Sequence, residues 1–394
     1  MAGGNSALLE ISGELYNEGA VALGNDDRSG TLSVTNTGVL TNTSTGTITV
    51  RGKSIVLNKG RFENGGRFSD SADSNALTGG FTSTGIYTDM RKDNVYAIAK
   101  EQGGAVRYLG PLTTMPGWYE NTAVTLMGGK SVAWNGRTEE HQVKASGVTL
   151  DLNGKTVELG DTALTVAAGG KLTVKDGSSR GGGTLTTDGE STLQVSGGTL
   201  TLESGSIRNT RGTAITTSYP SGGTVNIHGG TVRSENDFGV QIYGAGTLKI
   251  TGGSVVSGSG TAVALRNDNL DNLEKSAEIS GGSVVSEQGT AVLVSGGTLK
   301  ITGGSVTGRT GGIFNQTENP KNVTIFGGVI TLSADSPSPG KQFAVNAAEI
   351  TEGTLRAKNQ SCIAGDVSTE LPPPSAEKDR EGYYVCTVGG SGTP

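Results

Sequence analysis

Arginine and carboxylate side chains crowd one short stretch of this sequence: Arg208, Arg211, Arg233, Glu235 and Asp237. Guanidinium groups bind anions through charge-assisted hydrogen bonds, and a pair of carboxylates can act as general acid and base in glycosidic cleavage. The substrate class that fits the combination is an acidic polysaccharide. The competing reading is plainer. If Arg208 and Arg233 stack on successive coils of a repeat, they repel unless an anion or Glu235 and Asp237 neutralise them. Solvated charges in local pairs then account for the set, and no catalytic residue is assigned.

The other chemistry-bearing residues are sparse. Asp268, Asp271 and Glu274 offer oxygen ligands for Ca²⁺, but their spacing matches no known binding loop. His141 and His228 are the only histidines and lie too far apart in sequence for a His-based metal site, so no metal is expected. Trp118, Tyr119 and Tyr108 can stack on sugar rings, although such residues more often cover one end of a core. Cys362 and Cys386 leave open a disulfide clip or two buried thiols. Phosphate loops, nucleophile elbows and Cys-pair metal motifs do not occur, and no cofactor is expected.

The elements that position these residues must be unusual. The 394 residues include 66 Gly but only 7 Phe, 4 Met and 2 Trp, and hydrophobic residues make up 33%. So few large side chains fill only a narrow interior, as in a solenoid whose coils bury small and β-branched residues against their neighbours. Disorder is disfavoured because Val, Ile and Leu recur at alternating positions throughout. The net charge of −6, with no Lys/Arg run, argues against nucleic acid and anionic membrane surfaces. No apolar stretch approaches the ~20 residues that span a bilayer. Met1 to Gly4 does not open a basic-then-apolar signal segment, so any export signal is expected outside the given chain.

Internal repetition decides the architecture. Strand-like segments end in Leu126, Leu152, Val174, Leu202, Ile227, Ile250, Ile279, Ile301, Ile325 and Ile350, at a mean interval of about 25 residues. Five residues after most of these markers comes another apolar residue: Val157, Ile207, Val232, Val255, Val284, Val306, Ile330 and Leu355. Ser179 breaks the rule, beside the loop Gly181-Gly182-Gly183. A Gly-Gly corner separates the two strands, as at Gly252-Gly253, and a Gly-Thr-Ala cue, as at Gly260-Thr261-Ala262, opens a third. Three short strands per coil describe an all-β, parallel β-helix. Shared phase predicts that Val232, Val255, Val284 and Val306 form one inward stack. The outward middle of the first strand reads Asp151, Thr173, Thr201, Asn226, Lys249, Glu278, Lys300, Thr324 and Glu349. That series holds no carboxylate cluster, and Lys249, Glu278 and Lys300 suit a surface ion-pair ladder.

Residues 1–80 carry a different motif, with Gly38-Val39-Leu40-Thr41-Asn42 as an example, and read as a short solenoid segment whose Asn residues suit inward ladders or tight turns. Residues 81–365 form the main helix of coils. Within them, 93–102 is expected to be a capping helix with Val95, Ile98, Ala99 and Gln102 on one face, started by Asp93 and ended by Gly103. Residues 366–394 read as a C-terminal cap and linker, with a closing strand from Tyr383 to Val388.

The segment Val148-Thr149-Leu150-Asp151-Leu152-Asn153-Gly154-Lys155-Thr156-Val157 resembles the start of pectin-lyase-like right-handed parallel β-helices. The units of the type Gly-Gly-Thr-Leu-Lys-Ile at Gly296–Ile301 resemble repeats of large bacterial surface proteins of that fold. The resemblance covers about residues 90–365. It implies a secreted or cell-surface location and an adhesin-like binding or display role, with glycans or host surface components as partners. The same superfamily includes polysaccharide lyases and glycoside hydrolases, which is the alternative function for the Arg208–Asp237 region.

Overall fold

The computed structural model describes residues 7–24, 29–72, 77–89, 95–102, 106–115, 117–134, 141–267, 273–317, 319–334, 342–365 and 367–389. The chain divides into two compact units. One comprises Met1–Glu140, Ala145–Glu158 and Asp176–Gly183; the other His141–Lys144, Leu159–Lys175 and Thr184–Pro394. Each is a parallel β-solenoid. Among the described residues the only helical elements are three-residue 3-10 turns, and no helix is long and apolar enough to cross a membrane.

In the first unit three four-stranded parallel sheets make four coils. Side chains alternate inward and outward along each strand. Register therefore stacks Leu15, Leu40 and Phe62 on one sheet and Val21, Ile48 and Phe68 on another. Phe62, Phe68 and Phe81 meet at ring-centroid distances of 5.0–5.5 Å and concentrate the aromatic volume of this narrow core. The expected inward asparagine ladder is present. Asn17 Nδ2 donates to Asn42 Oδ1 (2.7 Å), Asn42 Nδ2 to Asn64 Oδ1 (2.6 Å), and Asn64 Nδ2 to Ser83 Oγ (3.0 Å). Identical amides one coil apart satisfy each other, which removes most of the cost of burying them.

The expected capping helix is a strand. Val95–Glu101 pairs antiparallel with both Val106–Pro111 and Thr122–Gly128; Asp93, Asn94, Gly103 and Gly104 lie outside the described residues. Residues i and i+4 share a face in a helix and in a strand alike, so Val95 and Ala99 fit both patterns. Ala97 discriminates. It is buried with Val95 and Ala99, whereas Ile98 is half-buried and Lys100 exposed. A segment this short forms no stable helix unaided, and two flanking strands supply its backbone partners.

The second unit contains nine coils, counted on a nine-stranded parallel sheet from Gln142–Val143 to Val345–Asn346. The phase markers from Val174 to Ile350 and the inward residues from Ile207 to Leu355 are almost completely buried. Val232, Val255, Val284 and Val306 form the predicted stack, in register across four coils. Around the Ser179 exception, the Gly-rich loop displaces the pattern and Leu185 takes the inward place, in register with Ile207. That loop belongs to the first unit and is held there by Asp176, whose carboxylate accepts from the backbone N–H groups of Gly154 (2.7 Å), Ser178 (3.1 Å) and Gly183 (2.8 Å). At the corners, a Cβ on Gly252 would lie 2.2 Å from the His228 carbonyl oxygen, and Gly253 has φ +69°. Both glycines are thus needed, the first for close coil approach and the second for a left-handed backbone.

A buried polar column that the sequence reading missed runs along the corner after the second strand. Asn209, Ser234, Ser257 and Ser286 are stacked in register and essentially inaccessible. Ser234, Ser257 and Ser286 donate to the carbonyls of Gly212, Asp237 and Gly260, at 2.6–2.7 Å, in the preceding coil. Ser234 and Ser286 also accept from the N–H three residues on. The closing strand Tyr384–Val388 pairs antiparallel with Glu349–Ala357. Cys386 within it is a buried free thiol, and the side chain of Cys362 lies outside those described.

Candidate functional site

The second-strand positions of successive coils bring Arg208 and Arg233 side by side, in register on the strands Ser206–Asn209 and Thr231–Ser234. Their repulsion is fully answered by protein groups. Arg208 Nε and Nη2 lie 3.1 and 3.0 Å from Glu235 Oε1. Arg233 Nε bonds both Glu235 oxygens at 2.9 and 3.0 Å, and its Nη1 reaches Glu287 Oε1 at 2.8 Å. The four side chains sum to zero charge. Hydrogen bonds from Arg233 hold the Glu235 and Glu287 carboxyls below the ordinary glutamate range, with Arg208 adding to the effect on Glu235. The same bonds raise Arg233 above its usual value.

Chemically this arrangement does little. A general acid needs a proton near neutral pH and a general base needs a raised affinity for one; Glu235 and Glu287 are shifted the other way. Asp237 stands apart, its Oδ2 accepting from Thr213 Oγ1 at 3.0 Å and its N–H donating to Ser234. Arg211 is exposed, and among the described residues its side chain joins no ion pair; its backbone N–H donates to Asn209 Oδ1. Of the five residues singled out by sequence, three therefore meet and two serve or flank the corner.

Glu287 was missed. It lies two coils beyond Arg233, and Arg233 reaches it because the intervening coil presents only Val256 and Gly258. The signal was available in phase: Glu235 and Glu287 each follow a column serine by one residue. On the first strand, Lys300 Nζ stands 3.6 Å from Glu278 Oε1, an exposed pair of the expected ladder. Asp268 and Asp271 lie outside the described residues, and Glu274 is exposed. Asp151 accepts from the N–H groups of Asn153 and Gly177, which makes it a turn-holding residue.

In the first unit a second arrangement has the opposite character. Glu101, Gln102, Arg107, Trp118, Tyr119, Glu120 and Asn121 line an open cleft of about 610 Å³. Antiparallel pairing builds it: Glu101 stands opposite Thr122 in register, so the end of one strand and the approach to the next share an edge. Arg107 Nε and Nη2 both bond Glu101 Oε1. Trp118 and Tyr119 are half-buried. The Trp118 ring is backed by the buried Trp134, centroids 5.9 Å apart. Burial pushes the Tyr119 hydroxyl above its ordinary range, against the nearby Arg107 charge, so it remains a donor. Tyr108 is not part of this surface. It is buried against Gly80, where a Cβ would lie 2.1 Å from its ring.

Comparisons with protein-family models, curated proteins and solved structures found no match to this chain.

Proposed function

We propose that the chain is a non-catalytic β-helix module of a bacterial cell-surface or secreted protein, with an adhesin-like binding or display role. The right-handed, pectin-lyase-like sense of the coils and the kinship with Gly-Gly-Thr surface repeats belong to this reading and rest on the sequence motifs. Its partners are glycans or host surface components. One observation carries the absence of catalysis. The acids beside the Arg208–Arg233 pair, Glu235 and Glu287, are spent on those two arginines, and hydrogen bonding keeps both acids ionised.

The test is a panel of acidic and neutral polysaccharides, assayed for new reducing ends and for unsaturated products, with and without Ca²⁺. No turnover is expected. Cleavage that disappears in Arg233→Ala or Asp237→Asn would replace this reading with a polysaccharide lyase or glycoside hydrolase acting at that patch.

A further inference from the structure

We infer that the cleft between Glu101 and Asn121 binds an uncharged saccharide, stacked on Trp118. The inference rests on the binding-module reading and names its site and ligand class.

Sugar recognition needs an apolar plate for the C–H face of the ring and planar polar groups for adjacent hydroxyls. Both are present. Trp118 and Tyr119 supply partly exposed aromatic surface, and the buried Trp134 packs against Trp118 with ring centroids 5.9 Å apart, which restricts the side-chain freedom that a ligand would otherwise have to remove. Glu101 and Arg107 are locked together through one carboxylate oxygen. Among the described residues this leaves Glu101 Oε2 as an acceptor and Arg107 Nη1 as a donor, on two groups that already orient each other. Such a pair suits two neighbouring hydroxyls, one donating and one accepting. Gln102 and Asn121 add amides at the rim, and Tyr119 adds a protonated hydroxyl.

Charge chooses between sugar classes. Among the described residues the lining carries one cation, Arg107, and two anions, Glu101 and Glu120. The Arg107 charge is already answered by Glu101, so a uronate or sialate carboxylate would meet net negative potential. A neutral ring meets none. A peptide adding as a strand is disfavoured for a different reason: Val95–Glu101 is paired on both edges, by Val106–Pro111 and Thr122–Gly128, and offers no free edge there.

The experiment is a glycan array of neutral and acidic oligosaccharides probed with the full chain, followed by titration of each hit. Trp118 and Trp134 are the only tryptophans, so ligand stacking reports as a change in intrinsic emission from Trp118. Neutral oligosaccharides should bind and acidic ones should not. Trp118→Ala should weaken binding about tenfold or more, the equivalent of about 1.4 kcal/mol of stacking. Glu101→Gln, which leaves the aromatic packing intact, should weaken it with unchanged circular dichroism and melting. Binding of only acidic glycans, binding of only peptides, or neutral-glycan binding indifferent to both substitutions would overturn the inference and leave the non-catalytic reading standing. No glycan binding at all would overturn it too. The turnover assay decides the non-catalytic reading separately.

Discussion

Replacing Val255 tests the coil register more directly than any functional assay. Its side chain is fully buried, between Val232 and Val284 in the adjacent coils, with the Gly239 backbone close by: a Cβ built there would lie 2.8 Å from Val255 Cγ1. Val255→Ala removes two methyl groups. At about 0.8 kcal/mol for each buried carbon this loses about 1.6 kcal/mol. A rigid backbone cannot close the space, so the cavity brings the total to about 2–3 kcal/mol. Val255→Asp adds the desolvation of a carboxylate with no partner and should cost several kcal/mol more. The neighbour Val256 points outward, in register between Arg233 and Val285. Val256→Asp places an anion beside a guanidinium and should change stability by less than about 1 kcal/mol. Urea unfolding followed by circular dichroism measures all three, with hydrogen exchange showing whether the loss spreads to the neighbouring coils. An unchanged midpoint for Val255→Asp, or a larger loss for Val256→Asp, would refute the inward-outward assignment.

Two further outcomes are expected. Ser257→Ala removes the hydroxyl that donates to the Asp237 carbonyl at 2.7 Å inside the corner column and should cost about 1–3 kcal/mol in the same unfolding assay; a neutral result would mean that water substitutes for the column. Glu235 and Glu287 have folded-state affinities for protons below those of the unfolded chain, so their contribution is present above about pH 4.3 and lost as pH falls through the lower folded values. Because these groups are substantially solvated, each pair should contribute no more than about 1 kcal/mol. The acid-side slope of the urea midpoint should flatten in Arg233→Met, and an identical slope in variant and parent would discount the network.

The sequence by itself determined the repeat. A fixed phase of apolar residues, Gly-Gly corners and alternating burial leave one consistent arrangement, because a one-residue slip would turn every inward valine to solvent. The inward valine stack, the asparagine ladder and the closing strand at Tyr384–Val388 were all legible on that ground. Residues 95–101 were misread because their helix-like spacing also fits a strand, and only partners distant in sequence could decide between them.

Tertiary structure alone decided what the charged and aromatic residues do. Whether Arg233 is a ligand for substrate or for protein depends on a glutamate two coils away, reached over the small side chains between. Whether Trp118 caps a core or lines a cleft depends on the strand pairing that brings Glu101 and Asn121 to the same edge. Periodicity is a local property and propagates along the chain. Side-chain function here arises between segments that the chain brings together only after it has coiled, and a linear pattern carries no distance between them.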